Sequence, residues 1–209
     1  MSIQAQDTDQ YIAELKAKLN DNPQCATHHY NLGLAYLSKR MFQEAEQSFR
    51  EAAENSPKLA EAYVQLGGIA LNRGDLESCL EYNKRARECR PQFAVPYANI
   101  GFCYLQQGDV SKAVPWLKKA INRDKEFIQA FATLGSAYLM DGDPEGCLEY
   151  CGRAVELEPM FGPAWNNMAI AYMQKEEFDK AVECVEKAMD TGYQVPQEIL
   201  DELAPYREE

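Results

Sequence analysis

The sequence predicts an all-α solenoid of antiparallel helix pairs, and three observations predict it. Gly33, Gly67, Gly101 and Gly135 lie 34 residues apart, with Ala169 in the next place. Four residues before these stand His29, Tyr63, Tyr97, Phe131 and Trp165, and three after them Tyr36, Ala70, Tyr104, Tyr138 and Tyr172. The same period links Ala52, Ala86, Ala120, Ala154 and Ala188, and a proline series of Pro23, Pro57, Pro91 and Pro159, broken by Lys125 and ending at Tyr193. Series that keep one phase through five periods mark an internal repeat. A unit of this length buries its apolar face only by stacking on its neighbours.

Each element follows in order. Residues 7–22 carry Tyr11, Ile12, Leu15 and Leu19 at helical spacing, so this stretch reads as the second helix of a truncated repeat and caps the first full one. Five repeats then run 26–59, 60–93, 94–127, 128–161 and 162–195. Within each, the small residue at the glycine place lets two helices approach closely, and the alanine of the second helix serves the same crossing. Gly67 and Gly68 both fall inside a helix and read as packing residues. Gly74, Gly108 and Gly142 stand where a first helix stops, a place that favours the left-handed conformation. Asp75, Asp109 and Asp143 follow, able to cap the amides that open the second helix. Proline closes the unit. Residues 196–209 hold Ile199, Leu200 and Leu203 among acidic residues, an amphipathic helix over the last repeat. The whole chain, 1–209, reads as a single solenoid domain.

The period and the aromatic, glycine, tyrosine, alanine and proline series resemble the tetratricopeptide repeat family over residues 26–195. The resemblance implies a right-handed α-solenoid of five tetratricopeptide repeats with N- and C-terminal capping helices. His29 departs from the family's bulky aromatic, and Lys125 and Tyr193 from its proline. Ala169 stands where the other repeats have glycine.

Composition narrows the function. The chain has 33 Asp and Glu against 21 Lys and Arg, a formal net charge of −12, which argues against nucleic acid or an anionic membrane as partner. No apolar run approaches the ~18 residues of a membrane span, so no membrane insertion is expected. The polar start, Met1 to Gln10, lacks the layout of a secretion signal. Seven cysteines without a C-x-x-C spacing read as reduced thiols, and a cytoplasmic location is expected.

Neither catalysis nor a cofactor is expected. Cys25, His28 and His29 have a spacing that could face a metal, but His29 holds the aromatic packing place, and packing is the stronger reading. Cys147, Cys151 and Cys79 fall on packing positions of second helices.

The resemblance implies a concave groove lined by first helices. Carried over residue by residue, its sixth place holds Asn31, Gln65, Asn99, Thr133 and Asn167. The ninth place holds Leu34, Gly68, Phe102, Ser136 and Ile170, and the twelfth Leu37, Leu71, Leu105, Leu139 and Met173. With Tyr30, this predicts a neutral-polar and apolar surface for another protein, in the form of an extended peptide or an amphipathic helix. The expected binding residues are Tyr30, Asn31, Leu34, Gln65, Asn99, Phe102, Thr133, Ser136, Asn167 and Ile170. The competing reading makes the amides bonds between repeats and the leucines core; Tyr30, Phe102 and Ile170 are expected to be exposed. The family's carboxylate clamp is not expected, because its places hold Tyr30, Leu34, Gln65, Val95 and Asn99, with no cation. The leading function is an adaptor, scaffold or chaperone. The alternative is a structural scaffold that binds its own copies into a homo-oligomer.

Overall fold

First helices begin at Ala26, Ala60, Ala94, Ile128 and Gly162, one period apart, as the repeat demands. The computed structural model describes residues 3–207. In chain order the helices are α1 Ile3–Asp21, α2 Ala26–Ser38, α3 Phe42–Asn55, α4 Ala60–Asn72, α5 Leu76–Cys89 and α6 Ala94–Gln106. They continue as α7 Val110–Arg123, α8 Ile128–Met140, α9 Pro144–Leu157, α10 Gly162–Gln174, α11 Phe178–Asp190 and α12 Gln197–Leu203. A 3-10 turn, Ala204–Tyr206, follows. The described residues contain no strand, and successive helices pack as pairs. The N-terminal helix starts at Ile3, earlier than the apolar spacing indicates. No described helix is long and apolar enough to cross a membrane.

The helix crossings are specific. A Cβ on Gly33 would lie 2.6 Å from the Phe49 ring, and one on Gly67 would lie 2.4 Å from Nδ2 of Asn83. On Gly101 it would meet Leu117 at 2.7 Å, and on Gly135 the Cys151 Sγ at 2.3 Å. In every case the partner is the residue sixteen places on, in the second helix of the same repeat. Gly68 departs from expectation: a Cβ there meets nothing within 4 Å, so this glycine packs against no helix.

The aromatic place has a second job. The Tyr97 hydroxyl donates to the Pro91 carbonyl at 2.9 Å, and the Trp165 indole N–H donates to that of Pro159 at 2.8 Å. His29 makes the same bond, Nε2 to the Pro23 carbonyl, at 2.8 Å. A carbonyl only accepts, so this ring nitrogen carries the proton. The histidine therefore keeps the polar tip that the place uses, and the departure from the aromatic series preserves the local bond. Where lysine replaces proline, at Lys125, the aromatic six residues on is Phe131, which has no polar tip.

Helix punctuation matches the sequence in the three middle repeats. Asp75 accepts from the amide of Ser78, Asp109 from that of Lys112 and Asp143 from that of Gly146. Gly74, Gly108 and Gly142 take φ of +78°, +76° and +75°. In the outer repeats Arg40 and Glu176 occupy this place with φ of 58° and 59°. A side chain in that region costs about 1–2 kcal/mol, and the extra backbone freedom of glycine in the unfolded chain offsets part of it. Arg40→Gly and Glu176→Gly should each raise stability by about 0.5–1 kcal/mol in chemical denaturation. A loss at both sites would show that other contacts hold these turns.

The chain forms two compact units, one ending at Asn99 and one starting at Ile100, so the division falls within α6. In the first, Ile12 and Leu15 of α1 join Leu32, Tyr36, Phe49, Tyr63 and Leu66 in one core, so the N-terminal helix covers the first repeat. An ion pair of Lys39 with Asp9 ties the end of α2 to α1. In the second, Leu203 of α12 is fully buried with Ala169, Ala181, Cys184 and Val185. Tyr206 stacks on Phe178 at 4.1 Å between ring centroids and extends that cap.

Candidate partner-binding surface

Within the first unit, α2 leaves one stripe toward solvent. Thr27, Leu34 and Ser38 are exposed and Tyr30, Asn31 and Leu37 half-buried, a spacing that lies along one helix face. The equivalent stripe of α4 runs through Glu61, Gln65, Gly68 and Asn72. In the second unit Gln129, Thr133, Ser136 and Met140 form it on α8, and Pro163, Asn167, Ile170 and Gln174 on α10. Val95, Asn99, Phe102 and Gln106 occupy the same places on α6. All ten sequence-predicted site residues lie on first helices; Leu34 is exposed and the other nine are half-buried.

The degree of opening differs from expectation. Tyr30, Phe102 and Ile170 are half-buried. Tyr30 leans on Phe49, ring centroids 5.6 Å apart, because the close crossing at Gly33 brings that ring beneath it. Leu34 is the most open apolar residue of the predicted set, 38% exposed. At the twelfth place Leu105 is buried, while Leu37, Leu71, Leu139 and Met173 are half-buried.

Several polar groups are already engaged. Asn99 donates through Nδ2 to the side-chain oxygen of Asn83 at 2.9 Å. Asn83 is fully buried and donates in turn to the Cys79 carbonyl at 2.8 Å. Asn167 donates to the Ala132 carbonyl at 3.2 Å and to Oγ of Ser136 at 2.8 Å, joining α10 to α8. The Asn167 backbone carbonyl also accepts from the Cys147 thiol at 3.5 Å. Thr133 and Ser136 donate to the carbonyls of Gln129 and Ala132. Both amide protons of Asn167 are therefore committed, and its side-chain oxygen is the part left to accept from a partner. For Asn99 and Asn167 the inter-helix bond is what the structure shows.

The thiols beneath this surface are held protonated. The hydrogen bond with Cys151, 3.8 Å between sulfurs, and burial push the Cys147 thiol well above its ordinary range. Burial raises Cys184 to about 11. A thiolate is the reactive and metal-binding form, so these cysteines behave as small apolar side chains. No group of three or more His, Cys, Asp or Glu side chains converges on a metal position among the described residues.

Comparison with known sequences decides the family. A tetratricopeptide repeat profile matches residues 9–60 and 42–92, and a second of the same description matches residues 94–127 and 162–191. The chain belongs to the tetratricopeptide repeat family. Tetratricopeptide repeat proteins are in general non-catalytic modules that bind other proteins. No curated protein matches this chain. Among solved structures it resembles YrrB, described as a tetratricopeptide repeat protein with an unusual peptide-binding site. The two are 19% identical with a TM-score of 0.64, over 85% of this chain and 91% of that one. A chain of the APC/C hetero-tetramer Cut9–Hcn1 superposes with a TM-score of 0.79 at 16% identity, covering 88% of this chain and 37% of the other. A thermophilic tetratricopeptide repeat protein of Thermus thermophilus gives 0.70 at 18% identity, over 87% and 98% of the two chains. At these identities the likeness shows a shared tetratricopeptide repeat fold.

Proposed function

We propose that this protein is a cytoplasmic adaptor, scaffold or chaperone that holds an extended peptide or an amphipathic helix along the open stripes of its first helices. Leu34 and Gly68 carry this reading. Leu34 offers apolar surface to a partner at 38% exposure. Gly68, at the equivalent place one repeat on, costs its helix about 0.5–1 kcal/mol relative to alanine. No neighbouring helix approaches it, and such an open backbone suits a ligand that comes close. No cysteine is in a disulfide, which suits a reducing compartment. Similarity to a fold neighbour described by its peptide-binding site supports the same reading.

Peptides selected on the protein from a random display library test it. Leu34→Glu and Gly68→Arg should each weaken the selected peptides by about tenfold or more while the fold is kept. Gly68→Arg should gain about 0.5–1 kcal/mol of stability, because a side chain there meets open space and arginine favours a helix. Full affinity in both variants would remove these stripes as the binding surface.

A further inference from the structure

The first unit carries a cleft on its second-helix side, away from the stripes. It has a volume of about 290 Å³ and lies between α3, α4 and α5. Arg50 and Glu54 of α3, Tyr63 and Leu66 of α4, and Tyr82 and Arg85 of α5 line it. The Tyr82 hydroxyl stands beside the Arg50 guanidinium and the Tyr63 hydroxyl beside that of Arg85. The Arg85 guanidinium also lies 5.9 Å from the centre of the Tyr63 ring. Glu46 already takes one Arg50 nitrogen at 2.6 Å, leaving the rest of that guanidinium toward its surroundings.

The preceding repeat has the same cleft with the opposite charge. It measures about 320 Å³ and is lined in part by His29, Leu32, Ser48 and Glu51. These are the residues one period before Tyr63, Leu66, Tyr82 and Arg85, and Glu44 adds a second carboxylate. The repeat geometry therefore makes the cleft, while the side chains of each repeat decide what it accepts. Two guanidiniums gathered in a protein of net charge −12 run against its overall field.

We propose that the cleft of Arg50 and Arg85 binds a phosphomonoester group. A guanidinium presents its donors as a fork that matches phosphate oxygens, and Arg50 and Arg85 set two such forks on the cleft, although Glu46 offsets part of the Arg50 charge. The hydroxyls of Tyr63 and Tyr82 add two donors. Leu66, 2% exposed, gives the cleft an apolar floor. Glu54 on the lining only accepts, so it places a hydrogen-bond donor of the ligand, such as an amide or ammonium N–H, beside the phosphate end. A phosphoserine residue of a peptide and a small phosphorylated amine share this chemistry.

Arginine Nε–H resonances of the full-length protein, followed during titration with inorganic phosphate at constant ionic strength, test the site. Arg50 and Arg85 should shift saturably. Arg85→Glu, which installs the residue of the preceding repeat, should weaken phosphate by about tenfold or more. Arg85→Gln and Tyr82→Ser should weaken it less, and both guard against a folding defect in the first variant. Absence of a saturable shift, or unchanged affinity in all three variants, overturns the proposal. Sulfate bound as tightly as every phosphate probe overturns the phosphomonoester assignment. N-acetyl-phosphoserine amide binding more tightly than phosphoethanolamine assigns the site to a peptide, and the reverse order to a small molecule.

Discussion

Phe49→Ala lowers the stability of the protein by about 3–5 kcal/mol, the expected cost of emptying a fully buried aromatic position. The ring is 0% exposed, lies under the backbone of Gly33 and supports Tyr30. The reciprocal change, Gly33→Ala, drives a methyl group into three ring atoms at 2.6–2.8 Å and costs about 1–3 kcal/mol by overpacking. The two are strongly coupled. With the ring gone, the added methyl fills space, so the double variant is more stable than the sum of the single losses by about 0.5–3 kcal/mol. Urea denaturation followed by helical circular dichroism measures all three. Strict additivity would show that the ring does not set the helix approach.

Asn83→Asp is the second large effect. Asn83 is fully buried, donates to the Cys79 carbonyl and accepts from Asn99. A carboxylate there loses the donation to the carbonyl and buries a charge with one donor against it, a cost of about 3–5 kcal/mol at neutral pH. Burial raises the folded-state pKa of this carboxyl above its unfolded value of ~3.9, so the protonated form suits the fold. The loss is therefore small below that unfolded value and grows as pH rises toward the folded one. Asn83→Leu is the control. Leu117 already packs against Gly101 at the equivalent crossing, so a leucine should fit against Gly67 with a change within about 1.5 kcal/mol. Denaturation at acidic and neutral pH separates the two. A pH-independent loss in the aspartate variant would place the fault in shape rather than charge.

These two positions also show what was legible in the sequence. The glycine, aromatic, alanine and proline series fix the register, and every first helix starts on it. Asp75, Asp109 and Asp143 cap as their chemistry requires, because a cap is a local contact between residues three apart. Contacts between helices were harder to read. The exposure of Tyr30 depends on Phe49, and the engagement of Asn99 on Asn83. The available signal was an irregular column. Phe49, Asn83, Leu117, Cys151 and Val185 follow at one period, and Asn83 is its polar member. A buried amide at an apolar crossing requires a partner, and the sixth place of the following first helix supplies it. Gly68 escaped because helical glycine reads as close packing in sequence, whereas only the surrounding space reveals that nothing is packed there.

The matched crossings have a consequence for how such chains can be recombined. Each glycine meets a residue sixteen places later, before the repeat ends, so both halves of the match are inherited as one block. Duplicating, deleting or transplanting a complete 34-residue unit keeps ring with glycine and thiol with glycine. Exchanging single helices between units instead mixes the halves: an alanine from the fifth unit would face a phenylalanine made for glycine. Crossover points just before Ala60 or Ile128 should therefore yield folded chimaeras, whereas joining the first helix of the fifth unit, with Ala169, to the second helix of the first, with Phe49, should not.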